Sequence, residues 1–159
     1  MKRDEFKGKF QTFDGEELVY RSWGPKKDSN SKKALIVLHR GHEHSGRVFE
    51  QIERVGADDF HAFSYDGRGH GENPGERGYA PSFSHMIKDL DSFVHFISKK
   101  HEIPVENIVV LANSVGAVIT SAWVHDYAPR IRGMVLAAPA FKIKLYVPFA
   151  MAGLRILNF

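Results

Sequence analysis

Cysteine is absent from this chain of 159 residues. A disulfide framework and a thiolate metal site are therefore excluded. Long apolar runs are missing too. The longest, Val147 to Leu157, is broken by Arg155 and is too short to span a bilayer. The opening residues Met1-Lys2-Arg3-Asp4-Glu5 lead into no apolar core of signal-peptide length. Together these absences make a cytoplasmic protein the expectation. Charge of one sign is not concentrated either. The formal net charge is +3, and the basic residues fall in small groups: Lys2, Arg3, Lys7 and Lys9, then Lys26-Lys27 and Lys32-Lys33. They form no stripe of basic residues interleaved with aromatics on one face, as a nucleic-acid surface would require, so no nucleic-acid partner is expected. Repeats and low-complexity tracts are lacking. What remains is an ordinary globular composition, 43% hydrophobic and 26% charged, that suits one domain or part of one.

Residues 6–13 and 17–23 read as two strands around Asp14-Gly15, a strong hairpin signal. Ala34-Leu35-Ile36-Val37-Leu38 is a continuous apolar run, which suits a strand covered on both faces. A helix is expected around 47–56 and a strand at His61–Tyr65, followed by the glycine-dense Asp66-Gly67-Arg68-Gly69-His70-Gly71. Pro81-Ser82 can start a helix. Phe83, Met86, Ile87, Leu90, Phe93, Val94 and Ile97 then recur at spacings of three and four, which predicts a stripe packed on the sheet. A strand at 107–111, a helix at 115–127 and a strand at 133–138 follow. This alternation predicts an α/β fold with a mostly parallel sheet after an antiparallel start.

The chemistry gathers at Val109-Val110-Leu111-Ala112-Asn113-Ser114-Val115-Gly116-Ala117. A short β-branched run ends in a small-x-Ser-x-Gly turn, and a stretch rich in small residues follows. That is the arrangement of a nucleophile elbow, which lifts a serine hydroxyl above a parallel sheet. Small neighbours let strand and helix approach closely, and Ala112 and Gly116 meet that need. The bland alternative is a helix N-cap serine. The loop His39-Arg40-Gly41-His42-Glu43-His44-Ser45-Gly46-Arg47 follows the first buried strand, so it lies on the same sheet edge as Ser114. Backbone N–H groups there and at Val115 can converge on an oxyanion, each contributing about 3 kcal/mol.

Taken together, these residues resemble the monoglyceride lipase and lysophospholipase group of α/β-hydrolases, also described as serine aminopeptidase-like. The matching segments are His39-x-Gly41-x-Glu43-His44-Ser45-Gly46-Arg47, Asp66-Gly67-Arg68-Gly69-His70-Gly71, Pro74-Gly75-Glu76-Arg77-Gly78, Ser114-Val115-Gly116 and Met134-Val135-Leu136-Ala137-Ala138-Pro139. Their order and spacing agree with the group from about residue 6 to 150. The resemblance implies an α/β-hydrolase fold and Ser114 as nucleophile, with the backbone of Gly41 and Val115 as oxyanion donors. It implies cleavage of a small acyl ester, a monoacylglycerol or lysophospholipid, with no metal or organic cofactor. Asp66 takes a structural position in it. Two residues depart from the group: Arg40 stands where it has glycine, and Ala112 replaces the first elbow glycine. Arg40 can narrow the oxyanion loop or bring a cation near the substrate.

The group's acid and base follow the nucleophile. Here one histidine, His125, and one aspartate, Asp126, follow Ser114, both within the expected helix. Eleven residues of helix put His125 about 16 Å from Ser114, out of reach. The expectation is the N-terminal portion of a longer hydrolase, nearly inactive alone, with apolar surface exposed at its open sheet edge. Residues 1–140 are read as core and 141–159 as the start of a cap. Phe141 to Phe159 is amphipathic, so a transient membrane-surface contact is an alternative use of it. The rival functional readings are a non-catalytic binding module and the hydrolase half of a larger multidomain enzyme.

Several local patterns are weaker. His39, His42 and His44 beside Glu43 are read as loop-ordering residues rather than as metal ligands, because neighbouring loop residues rarely converge. A second reading lets one of them replace the base. Glu43 and Arg47 can pair. Gly67-x-Gly69-x-Gly71 has the wrong spacing for a nucleotide loop. Trp123 and Tyr127 are read as packing residues.

Overall fold

The chain folds around one six-stranded mixed sheet. A computed structural model describes residues 3–141, so the expected cap or membrane-contact segment from 142 onward lies outside the described residues. Strands β1 (Glu5–Gln11) and β2 (Glu17–Trp23) form the expected hairpin. Thr12 and Asp14 order its turn, with the Thr12 hydroxyl donating to Asp14 Oδ1 at 2.6 Å. Next come β3 (Ala34–Leu38), helix α1 (Phe49–Val55) and β4 (His61–Tyr65). Helix α2 (Phe83–His101), β5 (Ile108–Asn113), helix α3 (Val115–Tyr127) and β6 (Gly133–Ala137) complete the described chain. The spatial order is β1-β2-β4-β3-β5-β6. The first two pairings are antiparallel and the other three parallel, as expected.

Strand β3 explains why its apolar run is unbroken. Ala34, Ile36 and Leu38 face a large core under α2 and α3, with Phe93, Leu90 and Trp123. Leu35 and Val37 face the opposite core with Trp23, Val48 and Ile52. All five residues are buried, and a period of two serves both faces. The predicted stripe of α2 is buried at Ile87, Leu90, Phe93, Val94 and Ile97. Trp123 is fully buried and its Nε1–H donates to Asp91 Oδ1 at 2.9 Å. Tyr127 corrects the packing expectation, because it ends α3 and stands exposed. Strand β6 is the edge of the sheet among the described residues, and Met134 and Val135 are exposed on it. Among the described residues no helix is long and apolar enough to cross a membrane.

Ser82 does start α2. Its backbone is extended and its Oγ accepts from the His85 N–H at 3.3 Å, satisfying a first-turn donor. Replacing it by alanine (Ser82→Ala) should cost about 1 kcal/mol in urea unfolding. An unchanged midpoint would show that the cap is not needed.

Candidate active site

Ser114 sits between β5 and α3 with φ 53° and ψ −118°. Few residues other than glycine adopt a positive φ, and the cost is about 1–3 kcal/mol. Backbone hydrogen bonds and the close approach of Gly116 to the end of β3 hold the turn in place. The Ser114 N–H donates to Ala137 O at 3.0 Å, and its carbonyl accepts from the N–H of Ala117 at 3.1 Å and of Ala140 at 3.4 Å. A methyl on Gly116 would lie 3.0 Å from Leu38 Cβ and 3.3 Å from His39 O, so that position admits only glycine without displacing the end of β3. Ala112 is fully buried between Leu38 and Leu136 in the sheet register, which accommodates its departure from glycine. The Ser114 side chain makes no capping hydrogen bond to α3, so the N-cap alternative fails. Ser114 as a residue is half-buried rather than packed away.

Val115 opens α3, so its N–H belongs to the first turn and has no intrahelical acceptor. Gly41 lies beside it. A Cβ built on Gly41 would be 3.9 Å from Val115 Cγ1. Both border a cavity of about 240 Å³, otherwise walled by Leu38, Tyr65, Met86 and Ile119, with His39 and His70 at its polar side. An apolar cleft with a few convergent polar groups suits an acyl chain.

His39 fixes this loop. The Gly67 N–H donates to its Nε2 at 2.9 Å. An amide can only donate, so Nε2 is unprotonated and Nδ1–H donates to Arg40 O at 2.7 Å. Burial, the main cause, pushes the His39 pKa below its ordinary 6.5. Both ring nitrogens are thus engaged, and His39 cannot serve as a base for Ser114. His44 is spent on Gly46, whose N–H donates to its Nδ1 at 3.2 Å. His42 is exposed, with φ 63°. These are the loop-ordering roles expected of His39 and His44. Among the described residues no group of three or more metal-ligating side chains converges. His125 pairs with Asp126 at 2.8 Å at the far end of α3, with 86% of its side chain exposed. Arg40 turns to Glu43, not to the cavity, and holds that carboxyl below the usual carboxylate range. This replaces the expected Glu43–Arg47 pair.

Two buried hubs beneath the site were not anticipated in full. Asp66 is completely buried. It accepts from Ser45 N at 2.7 Å and from Glu72 N at 2.9 Å, tying the loops after β3 and β4 together. Gly71 has φ +55°, and a Cβ there would stand 2.1 Å from Asp66 Oδ2, so glycine is required. Arg68 makes a two-pronged pair with Asp89 of α2, both bonds at 2.7 Å, and reaches Asp14 at 2.8 Å and Glu16 on the hairpin turn. Asp14 is held well below the ordinary carboxylate range by that guanidinium. The sequence signal for this hub was Asp89 itself, an acid three residues after Met86 on the apolar stripe.

Comparison with known proteins agrees with this fold. The serine aminopeptidase S33 family matches residues 29–158. An uncharacterised protein of Escherichia coli K12, YnbC, is 46% identical over 147 residues, covering 92% of this chain and 25% of that protein. The monoglyceride lipase of Rattus norvegicus is 34% identical over 128 residues, covering 79% of this chain and 40% of that one. The α/β-hydrolase GrgF from Penicillium superposes with a TM-score of 0.72 at 19% identity, over 98% of this chain and 53% of that one. The chain thus spans from a quarter to under half the length of the curated relatives that it matches.

Proposed function

The chain belongs to the serine aminopeptidase S33 family of α/β-hydrolases, and from that premise we propose that it carries the nucleophile half of a serine esterase acting on small monoacylglycerol-type esters. Ser114 attacks the ester carbonyl and forms an acyl-enzyme. The N–H groups of Gly41 and Val115 hold the oxyanion, and the apolar cavity beside them takes the acyl chain. The base and acid come from outside these 159 residues. One observation carries this reading: a serine is held at φ 53°, ψ −118° on the crest of a strand-to-helix turn, with no structural hydrogen bond from its side chain to the helix. Strain kept without a structural return points to function. The relatives named monoglyceride lipase support the substrate class.

A fluorophosphonate probe tests it. In the full-length protein, with base and acid present, Ser114 should be labelled, and Ser114→Ala should carry no label. Absence of label in the full-length wild type would favour the second reading, a non-catalytic binding module. That reading draws on one observation: the ring nitrogens of His39 are both engaged and His125 faces away.

A further inference from the structure

We propose that His39 is a positioning residue whose neutral ring clasps the loop carrying Gly41 to the amide of Gly67, and whose protonation releases that loop. The inference rests on the assignment of Gly41 and Ser114 to the reactive site. His39 lies two residues before Gly41, at the end of β3, and Gly67 lies just beyond the end of β4. The Gly67 N–H···Nε2 bond at 2.9 Å joins the two loops at the mouth of the cavity. On the other side, Nδ1–H donates to Arg40 O at 2.7 Å, which fixes the peptide adjoining Gly41. Only the neutral ring with its proton on Nδ1 satisfies both partners. A second proton would set Nε2–H against the Gly67 N–H, donor against donor, and the clasp would turn into a repulsion.

The surroundings favour the neutral ring on balance. His70, from the loop after β4, faces His39 with ring centroids 5.4 Å apart, and its Nδ1–H donates to Arg68 O at 2.8 Å. Asp66 on the same loop and Glu43 on the His39 loop favour the imidazolium, but Glu43 is occupied by Arg40. Helices α2 and α3 offer only apolar side chains here, Met86, Val115 and Ile119. Burial therefore prevails, and release falls on the acid side of the ordinary imidazole range.

Two readouts on the 159-residue chain test the clasp from about pH 8 to about pH 5, where imidazole titrates. The first is hydrogen-exchange protection of the Gly67 amide, followed by NMR beside the titration of His39 itself. The second is the Ser114 labelling rate by a fluorophosphonate, taken as the ratio of wild type to His39→Gln at each pH. Glutamine can accept from Gly67 and does not titrate. Protection in the wild type should collapse at the His39 midpoint, and in H39Q it should persist. The labelling ratio should fall about tenfold per pH unit below that midpoint. Gly67 protection that ignores the His39 titration overturns the clasp, as does an equal acid limb in H39Q. If Ser114 takes no label in either form, Gly67 protection alone decides the clasp, and the esterase reading is tested separately by labelling of the full-length protein.

Discussion

The 159-residue chain should hydrolyse a soluble ester about 10⁶-fold more slowly than a serine hydrolase with its whole triad. On the proposed reading, the deficit comes from a base and an acid supplied from outside these 159 residues. A serine hydroxyl needs a base within about 2.6–3.2 Å to become a competent nucleophile. His39 has its only lone pair on the Gly67 amide, and His44 has its Nδ1 on Gly46. His125 is near the end of α3 and paired with Asp126. On the proposed reading, what remains is the oxyanion pair and the acyl cavity, which in a disabled triad leave about 10³–10⁴ over water. That residual rate should not depend on the nucleophile, so Ser114→Ala should leave it nearly unchanged while abolishing covalent labelling. Progress curves on a short-chain nitrophenyl ester, with S114A beside the wild type, make the comparison. Turnover in the ordinary range of about 1–10³ s⁻¹, lost in S114A, would mean that a base acts from within these residues.

Legibility differed between the two halves of this site. The turn at Ser114 was readable because its causes are local: a buried strand, a size-restricted Gly116 that would meet Leu38, and a helix starting at Val115. Strand β3 was readable to the residue because burial on both faces leaves no polar interruption. Strand β5 runs on past the predicted Leu111 to Asn113, because Asn113 still pairs with Ala137 of β6. Pairing with a neighbour, not composition, sets that end. The segment around 47–56 divides into a 3-10 turn at Ser45–Arg47, capped by His44, and α1 from Phe49. The histidine cap was hidden because a ring nitrogen is not a typical N-cap acceptor. His39 and Gly67 are far apart in sequence, and no periodicity links them. Their bond exists because β3 and β4 are parallel neighbours whose following loops meet on one edge. The place of the loop beside Val115 was thus legible, but the contact that holds it was not.

Arg68→Met should destabilise the fold by about 3–5 kcal/mol, more than any surface substitution, because it strands a buried carboxylate. Asp89 is 1% exposed and Arg68 4% exposed. Arg68 is the shared partner of α2, through Asp89, and of the hairpin turn, through Asp14 and Glu16. Methionine fills a similar volume, so the loss is electrostatic rather than a cavity. Burial, the largest cause, already holds the Asp89 carboxyl above its ordinary value with Arg68 in place, and the guanidinium offsets only part of that rise. Without Arg68 the carboxyl moves higher still, and the acid is kept neutral at a cost that grows with pH. In the variant, then, the folded pKa of Asp89 is raised further than in the wild type. Its penalty is absent below the unfolded pKa of about 3.9 and increases as pH rises through the window up to the folded value. The stability gap between wild type and Arg68→Met should therefore narrow on acidification. Removing both charges, as Arg68→Met with Asp89→Leu, should recover most of the loss, since an apolar pair of similar volume is often no less stable than a buried ion pair. Urea unfolding of the four species closes a double-mutant cycle. A loss under about 1 kcal/mol in Arg68→Met, or a double variant as unstable as the single one, would show that the guanidinium does not hold α2 to the hairpin. Asp14 and Glu16 remain in the double variant but lie nearer the surface, with 31% and 39% of their side chains exposed, so water can solvate them. The buried Arg68–Asp89 contact, not the outer acids, carries the expected cost.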